Sequence, residues 1–215
     1  MANRSRYDAT GAESEFESGS RGRVLRNRLG IKSVREMARA DSAALLEAQE
    51  WMVDEFTSTH RFKATDIQRI HGRWLGNIYA WAGRYRNVNI AKGDFQFAAA
   101  AQVPRLMTQL HAGPLSEFTP CVPGPHDVIA KALAVVHTEL VLIHPFRDGN
   151  GRVARLVALT MALQAGLPPL DFTRMQGRGK AAYFAAVQAA LSRDYGPMTA
   201  VFSAVVRRSL QQQNG

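Results

Sequence analysis

Apolar residues recur at helical spacing in two neighbouring segments of the second half of the chain. Ile129, Leu133, Val136, Leu140 and Ile143 form one stripe, and Val153, Leu156, Val157, Thr160, Met161 and Gln164 form the next after a short polar gap. The remaining faces of both segments also carry Ala, Val or Leu, which predicts two helices buried on most sides. Other stretches are amphipathic. Ser33 with Glu36 is a capping box opening a helix through Met37, Leu45, Ala48 and Met52 to about Phe56. Thr65 with Gln68 reads as a second, for a helix through Ile67, Ile70, Trp74, Leu75 and Ile78 that ends by Gly83. One stretch departs from the helical period. Val88 and Ile90 alternate, Lys92-Gly93-Asp94 supplies a turn, and Phe95 and Phe97 follow, which predicts a β-hairpin.

Further on, residues 99–112 read as a helix. Four prolines and two glycines make 113–126 a long loop, and Asp127 is placed to cap the helix that follows. Gly166-Leu167-Pro168-Pro169 stops the second central helix, Tyr183, Val187 and Leu191 mark another, and Met198–Leu210 forms the last. The expectation is an all-α fold with a single hairpin. No internal repeat and no second domain are visible.

Composition narrows the class. A length of 215 residues suits one domain with a full core, and 46% hydrophobic with 21% charged residues is ordinary for a globular protein. No long apolar run and no charged-then-apolar leader is apparent, which leads to the expectation of a cytoplasmic protein without membrane contact. A single cysteine, Cys121, excludes an internal disulfide and reads as a buried spectator. The formal charge of +9 is uneven. Residues 1–20 hold Arg4 and Arg6 against Asp8, Glu13, Glu15 and Glu17, a net of −2, which leaves +11 on the rest. Few large apolar groups lie in 1–20, which reads as a flexible acidic arm ahead of one domain over 21–215. The basic body suits nucleotides or an acidic partner. Basic and aromatic residues are not interleaved as a stacking platform would need, so direct nucleic-acid binding is not expected.

The polar gap between the central helices holds the candidate chemistry: His144-Pro145-Phe146-Arg147-Asp148-Gly149-Asn150-Gly151-Arg152-Val153-Ala154-Arg155. Gly149 and Gly151 flank Asn150, and such a backbone can reach positive φ and form a nest of amides. A helix starting there aims unpaired N–H groups and its positive end at an anion. Arg152 and Arg155 add charge to the same spot, as a polyphosphate would require. Asp148 offers one hard carboxylate, the usual partner of magnesium bound together with phosphate oxygens. His144 is a candidate general base. His71, near Trp74, reads as a structural histidine.

The spacing His144-x-Phe146-x-Asp148-Gly149-Asn150-Gly151-Arg152-x-x-Arg155 resembles the signature of the Fic family. The run Tyr79-Ala80-Trp81-Ala82-Gly83 ahead of the hairpin is similar to the family's lead into its flap. The resemblance implies a helical bundle around a helix-loop-helix motif with a small hairpin flap, and transfer of AMP from ATP to a Ser, Thr or Tyr hydroxyl of a target protein. It implies His144 as the base, Phe146 as a core anchor and Asp148 as the ligand of Mg2+. Nucleotide contacts would come from Gly149, Asn150, Gly151, Arg152 and Arg155, with Lys92 and Gly93 of the flap joining them. Val88, Asn89 and Ile90 would dock the target backbone to backbone.

Two alternatives use the same residues. A Fic-fold branch that transfers the terminal phosphate replaces the second glycine, whereas Gly151 is retained here. A catalytically inactive basic module would bind without transferring anything. A metal phosphohydrolase reading of His126-Asp127 finds no further ligands at suitable places. The family restrains itself with Ser/Thr-x-x-x-Glu on a helix, and no glutamate of this chain has Ser or Thr four residues before it. By analogy with stand-alone bacterial members, the resemblance therefore implies the toxin of a toxin–antitoxin pair. Its targets would include a type II topoisomerase, and a small antitoxin would supply the inhibitory glutamate in trans, against Arg155.

Overall fold

The computed structural model describes residues 8–9, 13, 15–175 and 177–213. Its centre is the pair α5 (His126–Ile143) and α6 (Asn150–Gln164), antiparallel neighbours joined by the polar loop. Both are buried on most sides, as the apolar pattern requires. The other elements cover this pair. They are α1 (Val34–Glu55), α2 (Ala64–Leu75), α3 (Val103–Leu110), α4 (Ser116–Phe118), α7 (Lys180–Ala189) and α8 (Gly196–Gln213). Helix α8 packs along α5, and α1 and α2 pack on each other and on α6. Trp74, Phe62, Phe146 and Phe202 are the largest fully buried side chains and tie these layers together. No helix of the described residues is long and apolar enough to cross a membrane.

Several boundaries differ from those read in the sequence. Ser33 caps α1 as expected, its hydroxyl accepting from the Glu36 amide at 3.4 Å. Helix α2 instead starts after Lys63, because the Asp66 carboxylate accepts from the Lys63 amide at 2.9 Å and moves the cap ahead of Thr65. It ends at Leu75, and the chain reaches Gly83 through turns. The expected loop 113–126 is shorter. A π-helical turn over His111–Leu115 carries the helix past Pro114, whose missing N–H the wider turn tolerates, and into α4. Pro125, not Asp127, occupies the N-cap of α5, and Asp127 lies in its first turn, where a negative charge suits the helix dipole. Cys121 is buried and its thiol is pushed up to about 11 by that burial, as befits an inert side chain.

The hairpin is present as β2 (Ile90–Lys92) and β3 (Phe95–Gln96), turning at Gly93 with φ +58°. A third strand was not anticipated. β1 (Asp8–Ala9) pairs antiparallel with the outer edge of β2, giving the order β1-β2-β3. Nor is the arm loose up to residue 20. Glu17 and Val24 pair through the backbone at 2.8 Å, the Arg26 amide donates to Glu15 O at 3.0 Å, and Phe16 bridges Leu25. The Glu17 carboxylate accepts from the Asn27 amide at 3.1 Å, so acidic residues that suggested disorder serve as acceptors for a folded strap. The rest of that expectation, on 1–7, 10–12 and 14, lies outside the described residues.

The polar loop ends at Gly149, which adopts φ +84° as the N-cap of α6. A Cβ there would stand 2.7 Å from Trp74 Cζ3, so ring and backbone allow only glycine. Gly149→Ala should combine a left-handed backbone penalty with overpacking, a loss of about 2–4 kcal/mol. Thermal unfolding should then fall by roughly 5–15 °C; an unchanged midpoint would mean that the loop is not wedged against Trp74.

Candidate active site

Asn150 shapes the loop. Its side-chain Oδ1 accepts from the Phe146 amide and its Nδ2 donates to Phe146 O, both at 2.8 Å, which closes residues 146–150 into a buried ring of hydrogen bonds. Beneath it Phe146 stacks on His71, with centroids 3.8 Å apart and planes within 4°. His71 accepts from the Gly83 amide through Nδ1 at 2.8 Å, so Nε2 carries the hydrogen and donates to Asp148 O at 3.1 Å. Burial lowers its pKa to about 4 and keeps it neutral, which fits the structural role expected of it. It joins the Trp-Ala-Gly segment to the loop.

At the other end of the loop, His144 takes the left-handed conformation, φ 51° and ψ 60°, as the C-cap of α5. Nδ1 donates to Val141 O at 2.8 Å, which selects the tautomer with its lone pair on Nε2, the form a general base needs. Phe97 of the flap stacks on the imidazole at 3.7 Å. A cavity of about 220 Å³ opens here. His144, Gly151 and Arg155 line one side, Lys92, Phe95 and Phe97 of the flap another, and α7 contributes Tyr183, Phe184, Val187 and Gln188. Lys92 Nζ sits 3.8 Å from the centre of the Phe184 ring, linking the flap to α7. Tyr183 is positioned by His137, whose Nε2 lies 2.9 Å from the phenol oxygen. Burial lowers the His137 pKa to about 3, so its imidazole is neutral.

Of the residues expected around a nucleotide, Gly151, Arg155, Lys92 and His144 therefore share one cavity. The others stand apart from it. Gly93 is at the exposed tip of the flap, Gly149 is packed behind the loop on Trp74, and the Asn150 side chain is bonded to the Phe146 backbone. Arg152 is turned toward α1. Its Nη1 pairs with the Asp41 carboxylate, its guanidinium lies 4.3 Å from the centre of the Trp74 ring, and Trp74 Nε1 donates to Asp41 O at 3.1 Å. Asp148 accepts from the Gly149 amide at 2.6 Å and has Arg152 Nη2 at 3.9 Å. Among the described residues no three His, Cys, Asp or Glu side chains converge on a metal site. One half-buried carboxylate fits an ion that arrives with phosphate oxygens and water, and does not fit a resident metal.

Sequence reading overlooked the residue that holds flap and loop together. Arg86 is 3% exposed. Its Nε donates to His144 O and its Nη1 to Val88 O, both at 2.7 Å, while Nη2 reaches Ala98 O and, at 3.4 Å, Ile143 O. Its amide donates to Pro145 O at 2.9 Å. Burial lowers its pKa to about 10, which still leaves it charged. The only signal in the sequence was a cation set between the apolar Trp-Ala-Gly helix end and the hairpin. The α7 wall and Asp41 gave no signal.

Arg86→Lys keeps the charge but loses the planar fork. The variant should leave carbonyls of both segments unsatisfied and lose more than about 2 kcal/mol of stability. Hydrogen exchange of the flap amides should rise before that of the α5–α6 core; a uniform change would argue against Arg86 as the link. For the half-buried Asp41–Arg152 pair, a double-mutant cycle of Asp41→Asn and Arg152→Met in chemical denaturation should give a coupling above about 1 kcal/mol, more than exposed pairs do. A coupling near zero would mean that Trp74 alone holds Arg152.

With this geometry established, comparison with known proteins places the chain. The Fic/DOC family pattern matches residues 61–162, from the start of α2 to the end of α6. The protein adenylyltransferase VbhT of Bartonella schoenbuchensis is 27% identical over 197 residues, 88% of this chain, and this chain spans only 37% of its length. A probable protein adenylyltransferase Fic of Salmonella typhimurium is 32% identical over 143 residues, covering 66% of this chain and 70% of that protein. Among solved structures, BepC of Bartonella tribocorum with bound AMPPNP superposes with a TM-score of 0.66 at 23% identity, covering 84% of this chain and 91% of that one. The mostly helical fold agrees with these matches, and the chain belongs to the Fic/DOC family.

Proposed function

We propose that the chain is a magnesium-dependent protein adenylyltransferase, moving AMP from ATP to a Ser, Thr or Tyr hydroxyl of another protein. The observation that carries this reading is the shared cavity of His144, the Gly151–Arg155 end of α6, the flap and the aromatic face of α7. A base would lie against Tyr183, Phe184 and Val187. The triphosphate would run toward the start of α6, where the Asn150 and Gly151 amides precede the first intrahelical bonds and Arg155 adds a fork. His144 Nε2 takes the proton of the target hydroxyl, whose oxygen attacks the α-phosphorus. The bond to the β-phosphate breaks, and pyrophosphate leaves. Magnesium held by Asp148 and the phosphates would neutralise the charge that builds on them.

Relatives named protein adenylyltransferase support this reading, as does the neighbour crystallised with AMPPNP. Gly151 supports AMP transfer over terminal phosphate transfer, because the branch of the family that transfers the terminal phosphate replaces this glycine. We extend the reading to a toxin restrained in trans. The partner would be a small antitoxin presenting a glutamate to Arg155, and the target a protein such as a type II topoisomerase, by analogy.

Incubation with α-labelled and γ-labelled ATP tests the reaction. Label should pass to protein from the first only, and passage from the second would mean phosphoryl transfer. His144→Ala should lose at least about 10²-fold in transfer while binding AMPPNP as the parent does, since a base acts in the chemical step. Equal losses of binding and rate would remove His144 from that role.

A further inference from the structure

The edge on which a target strand would be read is already paired. β1 lies antiparallel along β2 with Asp8 opposite Ala91 and Ala9 opposite Ile90. The opposite side of β2 is taken by β3, and Ile90 O accepts from Phe97 N there at 3.3 Å. Ile90 and Lys92 thus belong to a central strand, and Phe97 on the neighbouring stretch rests on His144. An incoming extended segment can add to β2 only where β1 now sits.

The arm is also fastened beside the active loop. Glu13 O accepts from Arg147 Nε at 2.9 Å, and Arg147, inside the signature loop, is 2% exposed. The Glu13 carboxyl takes a hydrogen bond from the Asn87 backbone and is half-buried, its pKa raised by that burial. From Glu15 the strap continues into the pairing with Val24–Arg26. Only residues 10–12 separate this fastening from β1. A tether so short holds a strand near its partner edge at an effective concentration on the order of millimolar. Two backbone pairs that would be negligible in a free peptide can therefore cover the edge, yet yield to a segment that makes more contacts.

We propose that residues 8–9 are an internal occupant of the target-docking edge of the flap, displaced by an extended segment of the protein to be modified. This rests on the adenylyltransferase reading. The device acts on target docking, whereas a glutamate presented to Arg155 would act on the nucleotide, so the two forms of restraint are independent. Selectivity follows from the competition, since a weakly pairing segment does not clear the edge.

The test compares the full chain with a form beginning at Ala12, which keeps the Glu13 fastening, and with a full-length form carrying Asp8→Pro and Ala9→Pro, which cannot pair. Hydrogen exchange of the Ile90–Lys92 amides, AMPPNP affinity and incorporation from α-labelled ATP into proteins of a bacterial lysate are measured on each. Both altered forms should exchange these amides at least tenfold faster, incorporate at least threefold more label and bind AMPPNP unchanged. A synthetic peptide of residues 4–12 at millimolar concentration should restore protection and lower incorporation in the truncated form. Unchanged exchange, a peptide without effect, or faster exchange with unchanged incorporation by an active enzyme would overturn the proposal. A rise in AMPPNP affinity would do the same, by moving the effect to the nucleotide cavity. If no form transfers label while exchange and peptide behave as expected, the adenylyltransferase reading fails and the occupied edge stands.

Discussion

The buried guanidinium of Arg86 carries the geometry of the site. Arg86 spreads its donors over carbonyls of two segments, Val88 and Ala98 at the base of the flap and Ile143 and His144 at the end of α5. A buried charge is costly unless its donors are satisfied, and a planar fork satisfies several acceptors at fixed angles at once. Two of the acceptors, Ile143 O and His144 O, are the last carbonyls of α5, where the dipole is negative. The cation is thus compensated partly by dipoles at the end of α5 and partly by the half-buried Glu13 carboxylate, whose charge favours the protonated guanidinium. The same bonds fix the backbone of His144 in its left-handed conformation. Flap position and base orientation become one constraint.

A second constraint comes from aromatic packing. Phe146 lies flat on His71, and Trp74 leaves no room for a side chain at Gly149. Because His71 is neutral and holds Gly83 and Asp148 O with its two ring nitrogens, it transmits the position of the Trp-Ala-Gly segment to the loop without adding a charge there. Trp74 does similar work on its other side, with Asp41 and Arg152. The loop is preorganised by rings and backbone bonds beneath it, which leaves the amides at the start of α6 and Arg155 to face a ligand.

Much of this was legible from periodicity and spacing. The α5–α6 pair, the flap and the family followed from apolar stripes, alternation and a dense motif, signals that depend on residues close together in the chain. Less legible were the partners that hold the loop. Arg152 pairs with Asp41, on another helix far away in sequence. The Asn150 side chain closes the loop on the Phe146 backbone, a bond that depends on the loop's conformation and not on spacing. The cap of α2 moved because Asp66 outcompetes Thr65 for the role, and the π-turn at Pro114 follows from packing that no local rule describes. The α7 wall was invisible because Tyr183, Phe184 and Val187 look like any core stripe.

The acidic arm shows the same limit from the other direction. Low hydrophobicity and charge suggested disorder because such a segment cannot bury enough apolar surface to offset its ordering entropy. That reasoning counts only side chains. Residues 15–17 are instead ordered by backbone pairing with Leu25–Arg26 and Val24, and by carboxylates that accept from Arg26 and Asn27. This strap is fastened to residues 24–27 and, through Glu13, to Arg147, whereas β1 ahead of it is paired with β2. The pairing of β1 is therefore separable from the hold of the strap, and one can open locally while the other stays closed.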